Sequence, residues 1–203
     1  MRYIKMLGLA AVAAAALMAF VGASTASATV LVGTSGPLGS GTTINAALEP
    51  GTEAVLEAGF GNIACGESTV HGTISNAGGA AATVSGPISK GGLTFGACTG
   101  DTVSVLKEGT LEIHHIAGTT NGTLTSSGAE VTVINHDTGG THCIYRTENT
   151  HIGVLTGNKT GTATLHADAT LIRVPTSAFC ASEATWKATY TVNVPDEVWV
   201  EAS

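Results

Sequence analysis

The sequence predicts an all-β protein built of duplicated antiparallel β-sandwich or Greek-key modules and held by two disulfides. Three observations predict it. Apolar residues alternate with Thr and Ser along nearly every segment, and Gly and Asn clusters interrupt that alternation at short intervals. Four cysteines also stand in a chain that opens with an export leader.

The leader comes first. Arg2 and Lys5 give a short basic start, an apolar run extends from Leu7 to Val21, and Ala26-Ser27-Ala28 supplies small side chains for cleavage. This order is that of a secretory signal peptide. The run is shorter than the ~20 residues a spanning helix needs. Cleavage is therefore expected after Ala28, giving a secreted or cell-surface protein with no membrane span. The expected divisions are a leader at 1–28, a first β module at 29–117 and a second at 118–203.

Period-two alternation marks half-buried strands. In Glu130-Val131-Thr132-Val133 the two valines share a face. From Ala163 to Leu171 the odd positions are apolar, while Thr164, His166, Asp168 and Thr170 point the other way. From Trp186 to Val194 the even positions read Trp, Ala, Tyr, Val and Val, which makes Trp186, Tyr190, Val192 and Val194 expected core. Asn76 to Gly79, Gly139-Gly140 and Gly157-Asn158 read as turns. The segment Thr43 to Gly59 fits either a short helix or strands. About a dozen strands are expected, and short antiparallel strands with tight turns point to a sandwich or Greek-key barrel.

The chain also resembles itself. Gly51 to Leu56 matches Gly128 to Val133, and Cys65 matches Cys143. Gly72-Thr-Ile74 and Ala82-Thr-Val84 match Gly153-Val-Leu155 and Ala163-Thr-Leu165, and Cys98 matches Cys180. The offset is about 80 residues throughout, as an internal repeat requires.

Cys65, Cys98, Cys143 and Cys180 form an even set in an exported chain, where disulfides are the default. No CxxC or Cys-His pair has zinc-site spacing. Duplication selects Cys65–Cys98 with Cys143–Cys180, because each half then has its own equivalent bridge. The competing map is Cys65–Cys143 with Cys98–Cys180. A bridge across about 35 residues is worth about 3–4 kcal/mol on the loop-entropy account.

Charge and composition exclude several functions. Lys and Arg total 8 against 15 Asp and Glu, a formal charge of −7. Loss of Arg2 and Lys5 with the leader makes the protein still more acidic. That opposes binding to nucleic acid or anionic lipid, which needs clustered cations. Aromatic residues are only 4% of the chain, too few to spare for a stacking platform. The core must instead be built from Val, Ile, Leu and Ala.

Catalytic patterns are imitated but incomplete. Ser104-Val-Leu-Lys107 and Lys159-Thr160-Gly161 copy two serine-acylase fragments. Ser104 lies on a predicted strand, however, where residues three apart face opposite sides. His136, Asp137, His142 and His151 could offer imidazole and carboxylate to a transition metal, but they read as polar loop residues. The adjacent His114 and His115 point to opposite faces. Glu67 and His71 share one face with no third partner. Asn121-Gly-Thr and Asn158-Lys-Thr have the form of glycosylation sequons and read as turns. No catalytic residue, metal or cofactor is expected.

The segments Cys65-Gly-Glu-Ser-Thr-Val-His-Gly-Thr-Ile and Cys180-Ala-Ser-Glu-Ala-Thr-Trp186-Lys-Ala-Thr-Tyr190 carry a resemblance. Both are similar to segments of a group of uncharacterised secreted actinobacterial all-β proteins with paired cysteines. A more distant likeness is to exported activators of alkane oxidation, which share the Gly/Thr-rich β texture. The resemblance implies the fold rather than an activity.

One residue is singled out for contact with a partner. In Glu197-Val198-Trp199-Val200-Glu201, alternation gives the valines to the core and leaves Trp199 among carboxylates. Trp199 is thus either a seam residue or an exposed anchor. The function expected is that of a non-catalytic secreted or cell-surface module, structural, adhesive or ligand-binding, with an extracellular or envelope partner. The alternatives are a carrier of a small apolar molecule and a hydrolase with an unrecognised site.

Overall fold

The structure is a computed structural model that describes residues 28–59, 61–79, 82–136, 140–175 and 180–203. Residues 1–27 of the expected leader, Phe60, Asp137 and Phe179 lie outside the described residues. Sixteen strands and no helix occupy the described chain. They begin with β1 (Val30–Gly33), β2 (Gly36–Pro37), β3 (Thr43–Leu48), β4 (Ala54–Ala58), β5 (Gly61–Thr73) and β6 (Asn76–Gly79). They continue with β7 (Ala82–Cys98), β8 (Thr102–Lys107), β9 (Thr110–His115), β10 (Gly122–Ser127) and β11 (Glu130–Asn135). The last are β12 (Thr141–Arg146), β13 (Thr150–Thr156), β14 (Thr164–Val174), β15 (Glu183–Val194) and β16 (Val198–Glu201).

The ambiguous stretch Thr43 to Gly59 forms strands β3 and β4. The class is all-β with two disulfides, Cys65–Cys98 and Cys143–Cys180. The sequence left a sandwich or a Greek-key barrel open, and the ladder runs β3-β5-β7-β9-β10-β13-β14-β15 and returns to β3, closing an eight-stranded barrel. Closure leaves no edge at which the sheet could divide into two layers. Bulges assist the curvature by adding local twist. One interrupts β10 between Leu124 and Thr125, and another interrupts β5 between Val70 and Gly72.

Four long strands extend past this ring. The first half of β5 pairs with β4, and its second half pairs with β3. In β15 the order is the same, β4 first and then β3. The first half of β14 pairs with β13, and its far end pairs with β12. Beyond the barrel, β12 pairs with β11 and β11 with β8, while β8 lies beside β7. A second tier is thus stacked on the first.

The remaining strands cap the opposite end. β1 pairs with β16 on one edge and β2 on the other. Leu31, Val198 and Val200 of this small sheet are buried. Its backbone is tied to the barrel's turns: Asn158 N–H donates to Val198 O and Val200 N–H to Thr120 O, at 3.0 and 2.9 Å. The Thr29 hydroxyl accepts from His115 N–H at 3.0 Å. Gly157 permits this approach, since a Cβ there would lie 2.7 Å from the Trp199 Cα.

The core follows the alternation, with one correction. Leu165, Ala167, Ala169 and Leu171 face inward from β14, and Ala184, Ala188, Tyr190 and Val192 from β15. Val194 does not join them and is 44% exposed. The register of β15 against β3 slips between Val192 and Val194, which turns the last valine out of the barrel.

Gly153 sits where β13 crosses the bulge, with φ +148°, and a Cβ there would lie 2.0 Å from the His166 carbonyl oxygen. Gly153→Ala is expected to lower stability by about 1–3 kcal/mol in urea unfolding. Gly161→Ala, which meets only the movable Asn158 side chain, should cost under about 1 kcal/mol.

Candidate functional site

The most distinctive concave feature is the lumen of the barrel. It holds two apolar cavities of about 100 Å³ each. The first lies toward the second tier and is lined by Phe95, Val103, Val131, Ala167, Ala169 and Trp186 among others. The second lies under the small capping sheet, between Leu31, Ala46, Val84, Leu124 and Val198. Val70, Leu111 and Leu165 border both cavities and form the waist between them.

The cavities follow from local sequence. Inward positions on β14 and β15 pair a small residue with a small one: Ala167 stands opposite Ala188. Leu165 stands opposite Tyr190, which fills the space beside them. A run of alanines on adjoining strands removes volume that larger side chains would occupy. The walls then hold their spacing because the backbone ladder fixes it. Trp186 is half-buried against Phe95, ring centroids 4.8 Å apart at 69°, so it forms part of the first cavity's wall.

The hydroxyls inside are paired with one another, whereas Arg146, which also lines the first cavity, has a buried Nε without a hydrogen-bond partner. The Tyr190 hydroxyl lies 2.9 Å from Ser68 Oγ, which donates to the Thr94 carbonyl at 2.8 Å. Ser126 Oγ and Thr147 Oγ1 lie 3.0 Å apart, and Thr147 also accepts from Ala129 N–H. These hydroxyls are thus engaged within the wall, and the lining they complete is apolar. Burial pushes the Tyr190 phenol up to about 12, against the opposing hydrogen bond with Ser68. Burial also raises Tyr145, partly offset by the Arg173 charge.

Other residues singled out from the sequence stay apart. Ser104 is exposed on β8, and Lys107 pairs with Glu130 at 2.8 Å. Lys159 pairs with Glu201 at 2.8 Å. Among the described residues, no three His, Cys, Asp or Glu side chains are placed to share a metal ion. His136 meets Thr102 and Asp101, His166 meets Thr189, and His115 meets the Thr119 carbonyl. His71, His114, His142 and His151 are exposed, as is Glu67. Asn121 and Asn158 act as turn residues, each accepting a backbone N–H through its side chain.

Trp199 lies on β16, opposite Val32, with Val198 and Val200 buried on the other face. Its indole N–H donates to Glu201 at 2.7 Å, and the Lys159 ammonium stands 5.2 Å from its ring centroid. The Lys159 and Trp199 hydrogen bonds hold the Glu201 carboxyl below its usual value. The half-buried indole is therefore engaged by its own neighbours. The lumen has no local signature in the sequence, because its walls come from strands far apart in the chain.

No protein-family model, curated protein or solved structure matches this chain. What fold and site define is a class: a closed antiparallel β-barrel with two disulfides and an apolar interior. Among the described residues no helix is long and apolar enough to cross a membrane.

The Tyr190 phenol is neutral in the folded barrel and titrates near its ordinary value of about 10 when unfolded. Between those values the unfolded chain binds fewer protons, so stability falls as pH rises. Denaturant midpoints measured from pH 9 to 12 should show this loss, up to about 2–3 kcal/mol. Tyr190→Phe should flatten that slope.

Proposed function

We propose that this chain is an exported, non-catalytic binding protein that holds a small uncharged apolar molecule inside its barrel. The observation that carries this reading is the pair of apolar cavities bordering one waist. Burying a polar or charged ligand there would cost several kcal/mol, since the lining is almost wholly apolar, the buried Arg146 Nε of the first cavity excepted. An apolar ligand gains about 25 cal/mol per Å² withdrawn from water. A cavity of ~150 Å³ lined by aliphatic and aromatic groups can stay dry and accept benzene, so these chambers suit molecules of similar or smaller width. Two disulfides are consistent with an oxidising compartment outside the cytoplasm. The resemblance to secreted actinobacterial β-proteins and, more distantly, to exported activators of alkane oxidation agrees with export.

Toluene is the direct probe. Titrated into the oxidised protein, it should bind saturably and raise Tm, since a ligand that binds only the folded state stabilises it. Ala167→Leu, which fills the first cavity, should weaken binding at least ~10-fold while keeping a cooperative melt. A folded wild-type protein that takes up neither toluene nor xenon would remove the proposal.

We also read the barrel as a duplicated pair of halves, 29–117 and 118–203. The pairing pattern supports this. β3, β4, β5 and β7 correspond to β10, β11, β12 with β13, and β14; β8 with β9 corresponds to β15. Under that correspondence β3–β5 matches β10–β13, β4–β5 matches β11–β12, and β15–β3 matches β9–β10. The halves exchange their last strands, because β15 closes on β3 and β4 while β8 and β9 close on β11 and β10. Fragments 29–117 and 118–203 made separately should therefore remain unfolded alone. Mixed and oxidised, they should recover one cooperative transition by circular dichroism. Independent folding of either fragment would overturn the exchange.

A further inference from the structure

We propose that the seam between β7 and β8 is the entrance by which a small uncharged apolar molecule reaches the lumen, with Val105 as its gate. This rests on the apolar-ligand reading above. The barrel ring is laddered at every junction. In the second tier, ladders join β8–β11, β11–β12, β12–β14, β14–β15, β15–β4, β4–β5 and β5–β7. β7 and β8 come within 8 Å of each other between Cα atoms, yet no ladder joins them. From Leu93 to Cys98, β7 has a strand partner on one edge only, β5. From Thr102 to Lys107, β8 has one on one edge only, β11.

The seam is fastened at both ends and unlaced between them. At one end Cys98 is bridged to Cys65, and Thr99 N–H donates to the Ala64 carbonyl at 2.8 Å. At the other end Ile88 N–H donates to the Gly109 carbonyl at 3.1 Å, and Gly91 N–H to the Glu108 carboxylate at 2.7 Å. Those two contacts tie β7 to the link between β8 and β9. Gly91, at φ +72°, turns the strand there. With both ends held, the middle can part without the tier unravelling.

Beneath the middle lies the first cavity, where Leu93 and Phe95 of β7 and Val103 of β8 contribute wall. Val105 stands next inward on β8, opposite Val131, half-buried against the core. It does not line the cavity itself. Leu106 faces outward and is 49% exposed, an apolar lip at the outer side of the seam.

A ligand enters a closed barrel only through a transient opening, and the cost of each opening selects the route. Between laddered strands, an opening breaks backbone hydrogen bonds and leaves their donors and acceptors unpaired. At the cap, it breaks the bonds from Asn158 N–H to Val198 O, from Val200 N–H to Thr120 O and from His115 N–H to the Thr29 hydroxyl. At the seam, only side-chain contacts separate, because the facing backbone edges share no ladder. The resting seam is too narrow for a further strand, and apolar side chains shut it. Rotamer changes and small strand movements open it on a faster timescale than local unfolding.

The test measures toluene association and dissociation rates by NMR exchange on the oxidised wild-type protein, Val105→Ala, Val105→Phe and Leu38→Ala. Leu38 is half-buried on the cap side, and like Val105 it lines neither cavity. Val105→Ala should raise both rates at least ~10-fold and Val105→Phe should lower both as much, with Kd moving less than ~3-fold. Leu38→Ala should leave both rates as in the wild type. Rates indifferent to Val105 in folded variants would overturn the entrance, as would faster exchange in Leu38→Ala alone. A change in dissociation only, with Kd following it, would make Val105 a wall residue and also overturn the gate. Should Val105→Phe fail to fold, Val105→Ala decides by itself. Toluene uptake with rates indifferent to Val105 removes the entrance alone, whereas no uptake by the wild type removes the apolar-ligand reading and the entrance with it.

Discussion

The whole barrel depends on β15 being paired along both edges. One edge bonds to β14 from Thr164–Thr191 to Ile172–Glu183. The other bonds first to β4 and then to β3, the early strands of the chain. An antiparallel sheet closes only when its last strand reaches its first, and closure removes the edges that would otherwise invite aggregation. The cost is topological: contacts between residues near 45 and near 190 are among the most distant the chain makes. Such pairings form late and slowly, since loop closure must precede them. The two disulfides shorten the effective search within each half, acting on the unfolded chain.

The interior follows from that closure. A ring of eight strands encloses a space that side chains must fill, and eight is near the number at which they can just do so. Here the filling is uneven. Val70, Leu111 and Leu165 crowd the waist, whereas Ala46 on one side and Ala167 and Ala169 on the other leave room. A core short of aromatics therefore does not collapse into density everywhere. Stability rests instead on the ladder, on the covalent bridges and on paired hydroxyls such as Tyr190 with Ser68. The packing deficit and the candidate site are the same feature.

Much of the strand content was legible because period two is a local signal. The inward faces of β14 and β15 follow from the positions of their apolar residues alone. Val194 was misplaced because a bulge changes parity, and nothing in Val192-Asn193-Val194 announces one. Trp186 was assigned to core by the same rule, and its face is right, yet it ends half-buried against Phe95 as a cavity wall. Its depth depends on what stands across the barrel. The lumen was not legible at all, since an alanine opposite an alanine becomes a void only when the far wall is also short. Trp199 was correctly placed opposite the core valines. Its engagement by Lys159 depends on the turn at Gly157–Asn158, which folds against β16 from about 40 residues away in sequence.

The seam shows how matched pairing patterns can diverge in one local detail. β14 and β15 ladder without interruption, and β7 with β9 begins in the corresponding way. Where β14 continues through Ala169-Thr170-Leu171, β7 carries Pro87 and then Gly91-Gly92. Past the proline the β7 backbone still donates once, from Ile88 N–H to the Gly109 carbonyl at 3.1 Å, and the glycine at positive φ then redirects the strand. β8 compensates by pairing fully with β11, so the second tier stays assembled although one junction is unlaced. A junction left open by accident would be expected to lie over tightly packed side chains, with the cost confined to a few solvated backbone groups. This one lies over a cavity. Water satisfies the open backbone edges there, whereas the unfilled apolar wall lacks the contacts that filling it would supply.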